Sequence, residues 1–199
     1  MRRRYGREQQ LFIDPMLSRH WSTNLEKGPK EAEILSAFID SGVLVGEWYL
    51  EAPVGLECAK RGYFEYTKRE KKSPVLPEEN EVRMFQGALR ESIDAVCVES
   101  SNKMIHSRQK VKHYLRRYVN FDEKVVWLIE AKQRLDHKAL GQVLNYRDLF
   151  EEDWKAKVEG IGVVCRIGND MLEETFRKQG VRVWQVDPKT PTPVVSPLV

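Results

Sequence analysis

The sequence predicts an α/β domain with a mixed sheet, on three observations. Short β-branched runs (SIDAVCVES, KVVWLIEAK, GIGVVCRIG, VRVWQVD) alternate with stretches of helical spacing. One of these runs, KVVWLIEAK, is apolar on both faces and turns charged only at its carboxyl end, as a central strand opening onto a site would. The chain has 199 residues, 41% of them hydrophobic, which is enough for one core and one ordinary domain.

The elements follow in order. Residues 1–27 show weak periodicity and many arginines, and read as a basic arm. GPKEAEILSAFIDSG predicts a helix, with Pro29 near its start, Ile34, Leu35, Phe38 and Ile39 as its apolar stripe, and Gly42 just past its end. VLVGEWYLEAP predicts a strand stopped by Pro53, and a long polar connection containing KREKKSP follows. SIDAVCVES is the next strand, with Asp94 near its start, and KVVWLIEAK the one after. Strand period places Val126, Leu128, Glu130 and Lys132 on one face and Val125, Trp127, Ile129 and Ala131 on the other. DHKALGQVLNYRDLFEEDW has helical spacing, with Ala139, Val143, Tyr146 and Phe150 as a stripe, Leu140 and Leu144 flanking it, and Gln142 at its edge. GIGVVCRIG is a buried strand, MLEETFRKQG a short helix closed by Gly180, and VRVWQVD a last strand. The predicted organisation is a domain over residues 28–187 with a basic insertion at 101–122, then a proline-rich extended tail over 188–199.

Composition excludes several classes. Charged residues make up 32% of the chain and no apolar run approaches the roughly 18 residues of a membrane span, so no membrane is expected. The basic amino terminus lacks the apolar stretch of a secretory signal, and a cytoplasmic protein is expected. Cys58, Cys97 and Cys165 are scattered and odd in number, which fits buried thiols rather than a disulfide framework or a zinc or iron–sulfur centre. Net charge is only +3, but Lys103, Arg108, Lys110, Lys112, Arg116 and Arg117 crowd one stretch without an acidic residue.

The chemistry concentrates at three residues. Glu130 and Lys132 lie two apart on a strand, so they share a face at roughly 7 Å. If SIDAVCVES and KVVWLIEAK are antiparallel neighbours, Asp94 comes beside Glu130. Two close carboxylates beside an apolar sheet call for a compensating divalent cation, and hard oxygen ligands favour Mg²⁺ or Mn²⁺. With a lysine to stabilise charge on a phosphate, this is equipment for phosphodiester hydrolysis.

An Asp opening one strand, a Glu-x-Lys closing the next and a following helix with Gln-x-x-x-Tyr resemble the PD-(D/E)xK nuclease superfamily. The pattern looks in particular like its RecB-like exonuclease and archaeal Holliday-junction-resolvase-like branches. Asp94, Glu130 with Lys132, and Gln142 with Tyr146 carry the resemblance, over about residues 28 to 187 in element order. It implies a restriction-endonuclease-like core, an αβββαβ order with an added helix and strand. It also implies an acidic ligand on the first helix, for which Glu31 fits better than Glu33 because it faces inward with Ile34, Leu35 and Phe38. The chain departs from the pattern in three ways. Ile93 stands where a proline often precedes the aspartate, the connection from Ser100 to Asp122 is long for a hairpin, and the cysteine cluster of iron–sulfur relatives is absent.

The resemblance implies a Mg²⁺-dependent deoxyribonuclease and a homodimer acting on duplex or branched DNA. In it Asp94, Glu130 and Glu31 hold the metal, Lys132 positions or activates water, and Gln142 and Tyr146 brace the site. The six basic residues from Lys103 to Arg117 are read as DNA-backbone contacts near the scissile phosphate. Plainer readings stand beside these: Asp94 as a turn aspartate, Glu31 as a complement to the helix dipole, Gln142 and Tyr146 as core border, and the basic run as a solvated helix face. The rival functions are a DNA-junction or end-binding protein that keeps the fold without cleaving, and an RNA-binding or scaffold protein whose Glu-x-Lys is incidental.

Overall fold

The computed structural model describes residues 31–55, 57–58, 61, 91–106 and 121–195. The basic arm over 1–27, the KREKKSP connection and the residues from 107 to 120 lie outside them. Helix α1 (Glu31–Ser41) buries Ile34, Leu35, Phe38 and Ile39, the stripe that its spacing predicts, and Gly42 leaves it at φ 72°, a left-handed conformation open to glycine.

The sheet has seven strands. In chain order they are β1 (Gly46–Val54), β2 (Glu91–Glu99), β3 (Met104–His106), β4 (Val125–Arg134), β5 (Lys157–Ile167), β6 (Val181–Asp187) and β7 (Thr190–Val195). Their spatial order is β3-β1-β2-β4-β5-β6-β7, which puts β4 at the centre. β1, β2 and β4 form an antiparallel meander, β4, β5 and β6 run parallel, β7 returns antiparallel, and β3 lies parallel to β1. This is a mixed α/β sheet flanked by helices, as the alternation of runs predicts.

The period-2 reading of β4 carries straight into the packing. Val126 and Leu128 join a core with Val96, Val163, Val183 and helix α2 (His137–Trp154), which buries Ala139, Val143, Tyr146 and Phe150. Helix α3 (Asp170–Lys178) adds Phe176 to that side. Trp127, Ile129 and Ala131 face the other way, into a core with α1, Trp48 and Trp184. Each large side chain buried in these layers contributes about 1.5–3 kcal/mol through the water it leaves.

Three details differ from the sequence reading, each for a tertiary reason. β1 does not stop at Pro53 but pairs it with Ser92. The proline is tolerated because β3 pairs only with residues 47–49, so that nothing among the described residues asks for its missing N–H. Residues 190–195, read as extended tail, pair with β6 as β7, and Met104–His106 of the basic insertion form β3. Both short strands exist because an edge was available, which no local pattern announces. The third detail concerns the thiols: Cys97 and Cys165 are buried, but Cys58 is only half-buried.

Candidate active site

The site forms where β4 turns from apolar to charged. Because β2 is antiparallel to β4 with Ala95 opposite Ile129, Asp94 falls beside Glu130, and Asp94 Oδ2 accepts a 2.8 Å hydrogen bond from the Ala131 N–H. That bond fixes the aspartate by the backbone of the strand that carries Glu130 and Lys132. Lys132 Nζ lies 2.6 Å from Glu130 Oε1. Glu130 is 2% exposed, and its second oxygen, Oε2, is buried without a hydrogen-bond partner.

Burial raises Asp94 well above the usual carboxylate range, and the neighbouring Glu130 charge adds to it, against the Ala131 N–H and Lys132. Burial raises Glu130 too, opposed chiefly by Lys132. For Lys132, burial favours the neutral amine, but Glu130, Asp94 and Glu31 outweigh it and keep the ammonium charged beyond its ordinary range. Glu31, half-buried in the first turn of α1, acts on all three by charge alone, while Glu33 is exposed. The inward helix face thus delivers the glutamate that the spacing favours.

A comparison with protein-family models finds no match, and neither do comparisons with curated proteins and solved structures. The chemistry therefore rests on the geometry and on the sequence resemblance.

From α2, Gln142 Nε2 donates to Tyr146 Oη at 3.2 Å. Tyr146 is buried, and burial, then the charges of Glu130 and Glu91, hold its phenol protonated. Gln142 Oε1 is a second buried acceptor without a partner. Gln142, Tyr146, Glu130, Asp94 and Lys132 thus belong to one polar cluster between α2 and the sheet. Burial pushes the Cys97 and Cys165 thiols up to about 12, so neither is a thiolate nucleophile.

A divalent cation fits this donor set. A half-buried and a buried carboxylate, the latter with an orphaned oxygen, would when both are ionised carry more negative charge than Lys132 alone offsets, and hard oxygen donors suit Mg²⁺ or Mn²⁺. Among the described residues no three or more His, Cys, Asp or Glu are gathered as one ligand set. Asp94 and Glu130 form the pair, and Glu31 acts on both by charge from the first turn of α1.

Only the ends of the basic insertion, residues 101–106 and 121–122, are described. It leaves the carboxyl end of β2, five residues from Asp94 or roughly 16 Å along the strand, and rejoins at the start of β4. Lys103 pairs with Asp40 at 3.0 Å, and Asp40 is at the end of α1 away from Glu31. An antiparallel connection must anchor at the rim opposite the one where Asp94 meets Glu130, and this argument was available from the sequence. Arg108, Lys110, Lys112, Arg116 and Arg117 lie outside the described residues.

Sequence reasoning missed Glu51. It is buried (8% exposed), has φ 52°, and lies between the pairs Leu50–Ala95 and Ala52–Ile93, on the stretch of β1 that faces Asp94. A left-handed glutamate costs about 1–2 kcal/mol and cluster of such residues is common at functional sites. The one available signal was a charge inside the apolar run of β1.

Proposed function

We propose that this chain is a metal-dependent nuclease that hydrolyses DNA phosphodiester bonds, acting on ends or branched DNA. The observation that carries this reading is the trio on β2 and β4, in which Glu130 is buried and Asp94 and Lys132 are half-buried. Asp94 is tied to the Ala131 N–H, Lys132 is tied to Glu130, and Glu130 Oε2 is left without a partner. The Asp, Glu-x-Lys and Gln-x-x-x-Tyr pattern of the PD-(D/E)xK superfamily supports it. So does the helix, three-strand meander, helix, strand order of the mixed sheet.

In this reading Asp94 and Glu130 hold Mg²⁺ or Mn²⁺, with Glu31 adding charge from α1. The bound ion supplies Lewis acidity toward the phosphate and a lowered pKa for attacking water. Lys132 gives up part of its pairing with Glu130, and its ammonium orients water or stabilises negative charge developing on the phosphate. Gln142 and Tyr146 keep the α2 side of the pocket polar, with a free amide oxygen for a donor on water or on Lys132. The apolar layers behind β4 exclude bulk water and strengthen each of these interactions.

The test is cleavage of labelled linear, circular, single-stranded and four-way-junction DNA in Mg²⁺, Mn²⁺ or EDTA. Metal-dependent cutting that Glu130→Gln abolishes is the expected result. Salt-sensitive binding without cutting would leave a DNA-binding module on this fold.

A further inference from the structure

We propose that Glu51 is a positioning residue: its left-handed turn swings β1 and β2 together away from β4, and so sets the Asp94 carboxyl group against the strand that carries Glu130 and Lys132. The inference rests on the reading of Asp94 and Glu130 as a metal-binding pair.

Glu51 stands in the middle of β1 at φ 52°. The other two non-glycine residues of positive φ among the described residues, Glu123 and Lys155, lie in the turn before β4 and at the end of α2. A residue with a side chain carries a cost in this conformation and keeps it only where its surroundings impose it. Turning the chain inside a strand also changes which face the later residues present. Before Glu51, Tyr49 packs in the core with α2, and Trp48 and Leu50 pack in the core with α1. Strict alternation would return Ala52 and Val54 to the α1 side, yet both pack on the α2 side. β2 makes the same change at the position opposite. Val98 and Val96 face α2, and Cys97 and Ala95 face α1, but Ile93, due on the α1 side, packs on the α2 side.

The two strands stay paired through the change. Leu50 pairs with Ala95 before it, and Ala52 with Ile93, Pro53 with Ser92 and Val54 with Glu91 after it, so β1 and β2 turn as one about Glu51 and Asp94. No residue of β2 has a positive φ, which makes Glu51 the left-handed member of the two. β4 does not follow. It alternates without a break, with Val126 and Leu128 toward α2 and Trp127, Ile129 and Ala131 toward α1, and its ladder with β2 ends where Ala95 meets Ile129. A continued register would bring Ile93 opposite Ala131. Instead the Ala131 N–H donates to Asp94 Oδ2 at 2.8 Å. The aspartate side chain takes the place of a ladder acceptor, and it has room to do so because β2 has left β4. Asp94 therefore owes its place beside Glu130 to a residue on the next strand.

The test reads the hydrogen bond and the metal separately. Amide hydrogen exchange at Ala131, compared with Ile129 on the same strand, and Mn²⁺ affinity are measured on the full chain for wild type, Glu51→Gly, Glu51→Asn, Glu51→Val and Glu51→Thr. Glycine and asparagine accept the left-handed conformation, and the β-branched valine and threonine resist it. The glycine and asparagine variants should keep the protection of Ala131 and bind Mn²⁺ as wild type does. Each β-branched variant that melts as a folded protein should lose about tenfold in Ala131 protection, with Ile129 unchanged, and about ten- to a hundredfold in Mn²⁺ affinity. Unchanged protection and affinity in a folded β-branched variant would overturn the inference. So would loss of both in the glycine and asparagine variants, because the Glu51 carboxylate and not the turn would then be what matters. Failure of both β-branched variants to fold would overturn it as well, by making the turn a need of the sheet and not of the site. Wild type that binds no Mn²⁺, with Ala131 protection following the variants as stated, would overturn the metal reading and leave the turn as what places Asp94.

Discussion

Burial raises both Glu130 and Asp94, the Glu130 charge adds to it at Asp94, and Lys132 opposes it at both, yet the protein retains both carboxylates. A carboxyl group whose pKa is raised on folding binds its proton more tightly in the folded state than in the unfolded chain, where it ionises near about 4. The stability it allows is complete below that unfolded value and is lost as pH rises through the folded one. In EDTA, wild type should therefore melt at a lower temperature at pH 8 than at pH 6. Asp94→Asn keeps an acceptor for the Ala131 N–H, should flatten that dependence, and should melt a few degrees higher at pH 8, at roughly 2–4 °C per kcal/mol for a chain this long. Thermal melts across pH decide it, and an unchanged slope would sink the account of the pair. Metal binding needs both carboxylates ionised, so added Mg²⁺ should raise the melting temperature more at pH 8 than at pH 6. On α2, Tyr146→Phe removes the acceptor for Gln142 Nε2, and cleavage should fall by about tenfold, near the worth of one hydrogen bond, with melting little changed.

Elements were legible in the sequence wherever one periodicity served one buried face. The α2 stripe of Ala139, Val143, Tyr146 and Phe150 and the two faces of β4 appear in the fold as the spacing placed them, and with them the meeting of Asp94, Glu130 and Lys132. β3 and β7 were not legible, because three residues with His106, and a proline-rich stretch, become strands only when β1 and β6 offer an edge. Glu51 was hidden for a related reason, since glutamate carries no local preference for the left-handed conformation that β1 imposes on it. β5 also makes a requirement of its own. A Cβ on Gly162 would enter the Trp184 ring, and one on Gly160 the Trp127 ring, so these glycines let two tryptophans lie against the strand. Gly162→Ala should cost about 1–3 kcal/mol by overpacking, read as a lower melting temperature, and Trp184→Leu should recover part of the loss. If the two substitutions add without coupling, the close approach is not the cause.

At the scale of the molecule, β4 lies at the centre of the seven-stranded sheet, and at its charged carboxyl end α1, β2 and α2 all reach the same residues. Packing that stabilises the sheet therefore also fixes the two carboxylates and the lysine. No helix among the described residues is long and apolar enough to cross a membrane. The most direct measurement is cleavage of linear, circular, single-stranded and junction DNA with Mg²⁺ and with EDTA, comparing wild type with Glu130→Gln and Lys132→Ala. Metal-dependent cutting by wild type that falls by at least about a hundredfold in both variants is the predicted result. Cutting that survives both substitutions would contradict the assignment of the site.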